Sequence, residues 1–294
     1  MCSHVLNKNI YIVSILMDKN KLSFLNHKNQ IVMSDRLSKL LNEHGFSFVK
    51  MPRPIQLLDL FAKDSRGHLI SIGNITDLFL KKAEPLPENT LNQPVPSEIG
   101  GLIDKKVDMK LSINLLKGFL PESVGVESAF SNANNINFSF NDAKLDSTSL
   151  IQLDIFINDA NIQEKSQTFK DKLKDSEIYV VTDVLKSKSF SVEALGANDT
   201  SIALDGPEIE KIIEANAKLK RTSENKAKIV YEGDNNLAIG IRAAQIHNNK
   251  SWLMPWKDLS FSLRSGKTHQ VRGESAAAPK IDFLNQKFVQ IETE

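Results

Sequence analysis

Cysteine is almost missing from this chain: Cys2 is the single one in 294 residues. That excludes an intramolecular disulfide and any zinc site built from several thiolates. It also agrees with a reducing compartment. Charge of one sign is lacking too. A formal net charge of +1 argues against a dedicated nucleic-acid binder, whose domains carry a strong basic excess. No run reaches the ~20 mostly apolar residues of a membrane-spanning helix. The best one, Ile10-Tyr-Ile-Val-Ser-Ile-Leu-Met17, is followed by Asp18-Lys-Asn-Lys21 and not by a small-x-small cleavage site, so it reads as a strand and not as a signal peptide.

The marks of an active site are equally scarce. His4, His27, His44, His68, His247 and His269 form neither an H-E-x-x-H pair nor another metal-ligand spacing. No G-x-S-x-G nucleophile elbow is present. Ser265-Gly-Lys-Thr268 resembles the end of a phosphate-binding loop, but Phe261 stands where the first glycine must curl the backbone around phosphate. Asp171 and Asp175 sit among lysines and read as a salt-bridged helix face. These gaps predict a protein that is not an enzyme and binds no metal or cofactor.

What remains is an ordinary balance of 41% hydrophobic and 25% charged residues, in a chain long enough to bury a real core. Residues 1–32 stand apart as a lysine- and asparagine-rich extension, with Met33 as an alternative start. A helix is expected at Arg36–His44, capped by Ser34 or Asp35 and ended by Gly45. Phe46 and Phe48 open a strand that Pro52 should break. Ile55–Phe61, a turn at Asp64–Gly67, and His68–Ile72 read as strand, turn, strand, followed by a short helix at Ile75–Leu80. Pro85 to Gly101 reads as an extended surface loop. Val107–Asn114, Asn135–Phe140 and part of Leu150–Ile157 alternate as strands do, and Thr168–Lys174 as a short helix. Pro207 suits a helix N-terminus, with Ile209, Ile212, Ile213 and Leu219 as its apolar stripe. The whole predicts an α+β fold, a twisted and largely antiparallel sheet surrounded by short helices.

Two stretches dominate: Glu177–Leu195 and Lys228–Ile246, both long and β-prone, separated by a Lys-rich helical segment. Ile178-Tyr-Val-Val-Thr-Asp-Val-Leu185 is similar to the strand that opens the second membrane-inserting region of gasdermin pore-forming domains. Leu237-Ala-Ile-Gly-Ile-Arg-Ala-Ala-Gln-Ile246 looks like its closing strand. Leu41-Asn-Glu-His-Gly-Phe-Ser-Phe-Val-Lys-Met-Pro52, followed by Leu57-Leu-Asp-Leu60, resembles the opening of the bacterial members. The resemblance covers roughly residues 35–294.

A bacterial gasdermin implies an autoinhibited monomer in the cytoplasm. A protease encoded nearby removes a short C-terminal tail during phage defence. The freed domain then oligomerises, its hairpins span the inner membrane, and the cell dies. Under this reading residues 33–265 form the pore domain, 266–279 a cleavable linker and 280–294 the inhibitory tail. Val107–Leu120 with Asn134–Asn141, and Glu177–Leu195 with the strand around Lys228–Tyr231, are the expected membrane hairpins. Lys211, Lys218, Lys220, Arg221, Lys226 and Lys228 stand against only Glu214 and Glu224 in their stretch, a patch suited to anionic lipid or to plain solvation. Cys2 is the expected carrier of a palmitoyl chain, although it lies farther ahead of the first helix than the family pattern has it. Arg264, Lys267 and Arg272 are candidate cleavage residues in the small, polar linker. Ile281, Leu284, Phe288 and Ile291 fall at 3-4-3 spacing and predict one stripe of a docking helix, joined by Phe283 and Val289. The alternatives are a soluble β-rich binding or lipid-binding module and an enzyme of unrecognised type.

Overall fold

The computed structural model describes residues 36–80, 85–103, 105–107, 113, 116, 126–159, 161–162, 177–204, 207–215, 217–222, 226–248, 261–263, 281–286 and 288–292. Helix α1 (Arg36–Glu43) buries Leu37 and Leu41. Gly45, at φ 77°, turns the chain out of it, and the amide of Phe46 donates to the carbonyl of Leu41. A β-carbon there would be strained and would also meet Arg242 Nε at 3.2 Å.

Three strands follow: β1 (Ser47–Arg53), β2 (Asp59–Lys63) and β3 (Leu69–Asn74). Then come α2 (Ile75–Leu78), β4 (Phe79–Leu80), β5 (Asn89–Pro94), α3 (Ser97–Ile103), β6 (Lys105–Val107) and α4 (Val126–Ala129). The middle of the chain forms β7 (Asn135–Asn141), β8 (Lys144–Thr148), α5 (Leu150–Asp159), β9 (Asn161–Ile162) and β10 (Glu177–Leu195). The last part forms α6 (Pro207–Ala215), β11 (Leu219–Arg221), β12 (Lys228–Asn248), β13 (Phe261–Ser262), β14 (Phe288–Val289) and β15 (Ile291–Glu292). Among the described residues, all strands but β4 and β9 join one 13-stranded sheet. Among the described residues only the pairings of β14 with β1 and β15 with β3 are parallel. The fold is α+β, as the sequence pattern predicts.

Five local expectations need correction. Leu150–Ile157 is helical in α5: Leu153, Phe156 and Ile157 bury one face, while the exposed Ile151 and Ile155 merely imitate strand alternation. Residues 85–101 are no plain loop, for β5 pairs its backbone with β8 and α3 begins at Ser97. β1 runs through Pro52 to Arg53, with an irregular register in place of a break. The strand expected from Ile55 starts only at Asp59, because Leu58 adopts φ 67° and kinks the chain. Leu219 belongs to β11 and not to the helix stripe. The helix expected at Thr168–Lys174 and most of Val107–Leu120 lie outside the described residues.

The spine is the antiparallel pair β10–β12, running from Ile178 opposite Ile246 to Glu193 opposite Lys228. On β10 only Glu177 and Lys188 are exposed, so the strand is covered on both faces. Between Ser187 opposite Leu237 and Ser189 opposite Glu232 the ladder breaks, and residues 233–236 loop out against Lys188. Gly233 permits this: a β-carbon would stand 2.9 Å from Tyr231 Oη and 3.2 Å from the Lys188 carbonyl.

Two apolar cores lie along this spine. The first gathers Val49, Leu60, Leu69, Phe156, Val180 and Ala244 among others from β1–β3, α5 and the Glu177 end of β10. The second gathers Leu37, Phe46, Phe138, Phe190, Ile212 and Ile229 with their neighbours from α1, β7, α6 and the Leu195 end. Phe190 stacks between Phe138 (4.9 Å) and Tyr231 (5.0 Å) in the second. Polar contacts accompany the stretch where the cores meet. Lys186 on β10 pairs with the largely buried Asp146 of β8, and the Asn92 amide donates to the same carboxylate at 2.7 Å.

Candidate functional site

The main path of the sheet has two ends. Along the path β1–β12–β10–β2–β3 the outer strands are β1 and β3, and each would present a row of unpaired backbone groups. The C-terminal tail covers both. β14 pairs with β1, Phe48 opposite Phe288 and Val49 opposite Val289. After the single residue Gln290, β15 pairs with β3, Ile291 opposite Leu69 and Glu292 opposite Ile70. The Leu69 amide donates to the Gln290 carbonyl at 3.0 Å between them. One extended segment therefore closes the sheet into a ring.

Upstream, the tail is held by a third strand. The Gln245 amide donates to the Asp282 carbonyl, and the Leu284 amide donates to the Ala243 carbonyl, both at 2.8 Å. This places residues 282–284 antiparallel beside β12, with Ala244 opposite Phe283, just beyond the start of β1. Ser47 Oγ reaches the Leu284 carbonyl at 3.5 Å, and Gln286 Nε2 donates to the Gly67 carbonyl at 3.1 Å. Near Asp282 its carboxylate lies 3.2 Å from His247 Nε2, which attracts it when the imidazole is protonated although the pair is not aligned for a hydrogen bond.

The apolar side chains of the tail complete the first core. Leu284, Val289 and Ile291 are buried in it and Ile281 packs against it. Phe283 is 38% exposed. The docking helix expected from Ile281, Leu284, Phe288 and Ile291 is thus replaced by an extended strand. Two open sheet edges offer backbone partners that no local spacing reports, and pairing with them overrides the 3-4-3 pattern. Fully burying a Leu, Val or Ile contributes about 1.5–3 kcal/mol each, so the tail's hold is substantial before ordering costs are subtracted.

Beside the tail's docking site, Lys63 Nζ and Tyr179 Oη both donate to Glu177, at 2.8 and 2.7 Å. These bonds hold the Glu177 carboxyl below its ordinary range, while burial and the Glu177 bond push the Tyr179 phenol up.

The cationic patch is only partly free. Lys218 meets Asp234 at 2.6 Å, Lys220 meets Glu232 at 3.8 Å, and Arg221 meets Glu210 at 3.4 Å while donating to the Leu204 carbonyl. The first contact holds the Lys218 ammonium above its ordinary range. Lys211 and Lys226 are exposed and Lys228 is half-buried. The three acidic partners lie just outside the 211–228 stretch, which is why a count along the chain overstates its charge. Cys2, Arg264, Lys267, Arg272 and the linker lie outside the described residues. Backbone partners of the tail such as Gly67 and Ala243 carried no sequence signal, because a carbonyl pairs whatever its side chain.

No helix among the described residues is long and apolar enough to cross a membrane, which says nothing of crossing by strands. The Bacterial Gasdermin Family model matches residues 49–253, ending before the tail. A gasdermin from Gillisia limnaea is 30% identical over 251 residues, covering 81% of this chain and 92% of its own length. One from a Desulfuromonadales bacterium is 28% identical over 214 residues, 70% of this chain and 79% of that one. The solved structure of a bacterial gasdermin from Bradyrhizobium tropiciagri shares the fold. It superposes with a TM-score of 0.56 at 17% identity, over 88% of this chain and 97% of that one. On the family match over residues 49–253 and the identity and coverage of these relatives, this chain belongs to the bacterial gasdermins, a family of pore-forming proteins.

Proposed function

We propose that the chain is an autoinhibited pore former, switched on when a protease removes its C-terminal tail. The observation that carries this reading is the closing strand at 288–292, which occupies the outer edges of β1 and β3. Without it β1 and β3 present unpaired edges and the first core loses Leu284, Val289 and Ile291. The loosened sheet then pairs with other copies.

Strand length supports membrane crossing by the sheet. β10, with 19 residues, spans about 60 Å when extended. A tilted transmembrane strand needs about 9–11 residues. β10 and β12 already form one antiparallel ladder, and β6 with β7 begins another. In an oligomeric ring every backbone group finds a partner, the condition for strands inside lipid. Because β10 is covered on both faces at rest, the elements packed on those faces must first move off it.

The remaining parts of the proposal are these. The protease is encoded nearby and cuts at Arg264, Lys267 or Arg272. The resting protein is cytoplasmic, and the ring forms in the inner membrane, where its opening kills a phage-infected cell. Lys211, Lys226 and Lys228 meet anionic headgroups at about 1 kcal/mol per cation, with Lys218, Lys220 and Arg221 contributing less while paired. A palmitoyl chain on Cys2 adds a membrane anchor.

The test is dye release from anionic liposomes, using the full chain with an engineered protease site between Gly266 and Pro279. Release only after cutting is expected. Sealed liposomes with a folded, tail-free protein overturn the reading and leave a β-rich binding module in its place.

A further inference from the structure

A cut in the linker falls outside the contacts described for the tail. Every described hydrogen bond that holds it runs through residues 282–292: the backbone pairs to β12, β1 and β3, the Ser47 hydroxyl on the Leu284 carbonyl, and the amide of Gln286 on the Gly67 carbonyl. The candidate cleavage residues all precede this segment. Proteolysis therefore leaves these bonds in place and removes the tether.

We propose that the gap between β1 and β3 is a peptide-binding slot, and that the tail is its tethered ligand. It takes an extended peptide running parallel to both edges, read through its main chain on two sides. Selectivity comes from alternate apolar positions, here Val289 and Ile291, both of which enter the first core. The proposal rests on the reading of the tail as the restraint on the pore.

The physical consequence is that activation is a loss of effective concentration. A short flexible tether holds its ligand at an effective concentration of order mM. Once cut, a fragment at ~1 μM sees a roughly thousandfold lower concentration, so occupancy becomes a matter of its dissociation constant and of dilution. The cut protein should stay closed while concentrated and open when diluted. A free peptide of the same sequence should close it again.

The experiment uses the full chain with the engineered linker site and a fluorophore on the tail beyond that site. Tail retention is followed by anisotropy after cutting, over a range of protein concentrations, in parallel with dye release from anionic liposomes. A synthetic peptide of residues 279–294 is then added, together with a version carrying V289K and I291K. The proposal expects retention to fall on dilution and release to rise with it. It expects the peptide, but not the doubly substituted one, to suppress release at least tenfold. Dye release after cutting that ignores both dilution and peptide, with the tail already lost at every concentration, overturns the slot and leaves the tail-restrained pore standing. Concentration-dependent retention without dye release at any dilution supports the slot and sinks the pore reading. Retention at every dilution, with or without competing peptide, overturns the slot as a reversible site.

Discussion

The two cores of this molecule are closed in different ways. The second is sealed by α1, α6 and the stacked rings of Phe138, Phe190 and Tyr231, all embedded within the chain. The first is sealed in part by the last few residues, with Leu284, Val289 and Ile291 entering from a strand that ends close to the terminus. A single cut in the linker can free the tail that covers the first core, but not the embedded elements that cover the second. The β10–β12 ladder, which serves both cores, is broken at Lys188 near the place where they meet. The contrast teaches that local release needs a closing piece joined by one covalent link and otherwise held only by pairing and burial.

Substitutions can break that contrast, beginning where the effect is greatest. Phe190→Ala removes a fully buried ring from the second core and should cost about 3–5 kcal/mol, lowering Tm by roughly 10 °C in a calorimetric scan. It should not free the tail selectively. Asp146→Ala leaves Lys186 without its partner in a mostly buried setting, and is expected to cost about 3 kcal/mol in denaturant unfolding. If it costs less than 1 kcal/mol, that pair does not secure β8 against β10.

Val289→Ala acts on the first core alone. It should cost about 2 kcal/mol of tail docking and speed exchange of the Leu284 and Leu69 amides, which the closing segment protects, while leaving amides of β7 unchanged.

The smallest effect concerns pH. Glu177 has a lowered pKa in the fold, so its contribution is present above the ordinary glutamate value and is lost as pH falls through that value towards the folded one. At its half-exposed site the size is below about 1 kcal/mol. Glu177→Gln should flatten the acid limb of the stability curve slightly and lower stability near neutral pH by that same small amount, with no difference from the parent chain once pH is below the folded value.

Much of the fold was legible because its longest elements carry strong local signals. The β-branched runs of β10 and β12, the Leu37–Leu41 face of α1 and its Gly45 stop all speak for themselves. Where the reading failed, tertiary pairing had decided the outcome. In α5, Ile151 is 73% exposed, so an apolar residue on the wrong face disguised a helix as a strand. β5 is mostly exposed and pairs through its backbone, leaving no alternation to read. The tail offered both a helical spacing and the alternate pair Val289 and Ile291. Only the open edges of β1 and β3, brought together from far earlier in the chain, select the second. The cation patch was overcounted because Glu210, Glu232 and Asp234 approach it from flanking elements.

In the proposed mechanism the tail keeps the β1 and β3 side of the first core closed. Hydrogen exchange read by mass spectrometry, on the full chain with a cleavable linker and without lipid, tests it most directly. After cutting and dilution, protection should fall around Phe48–Val49, Leu69–Ile70 and Ala243–Gln245, and persist at Asn135–Asn141 and Ser189–Leu195. Equal loss in both cores, or unchanged protection at the β1 and β3 edges once the tail has left, would contradict it.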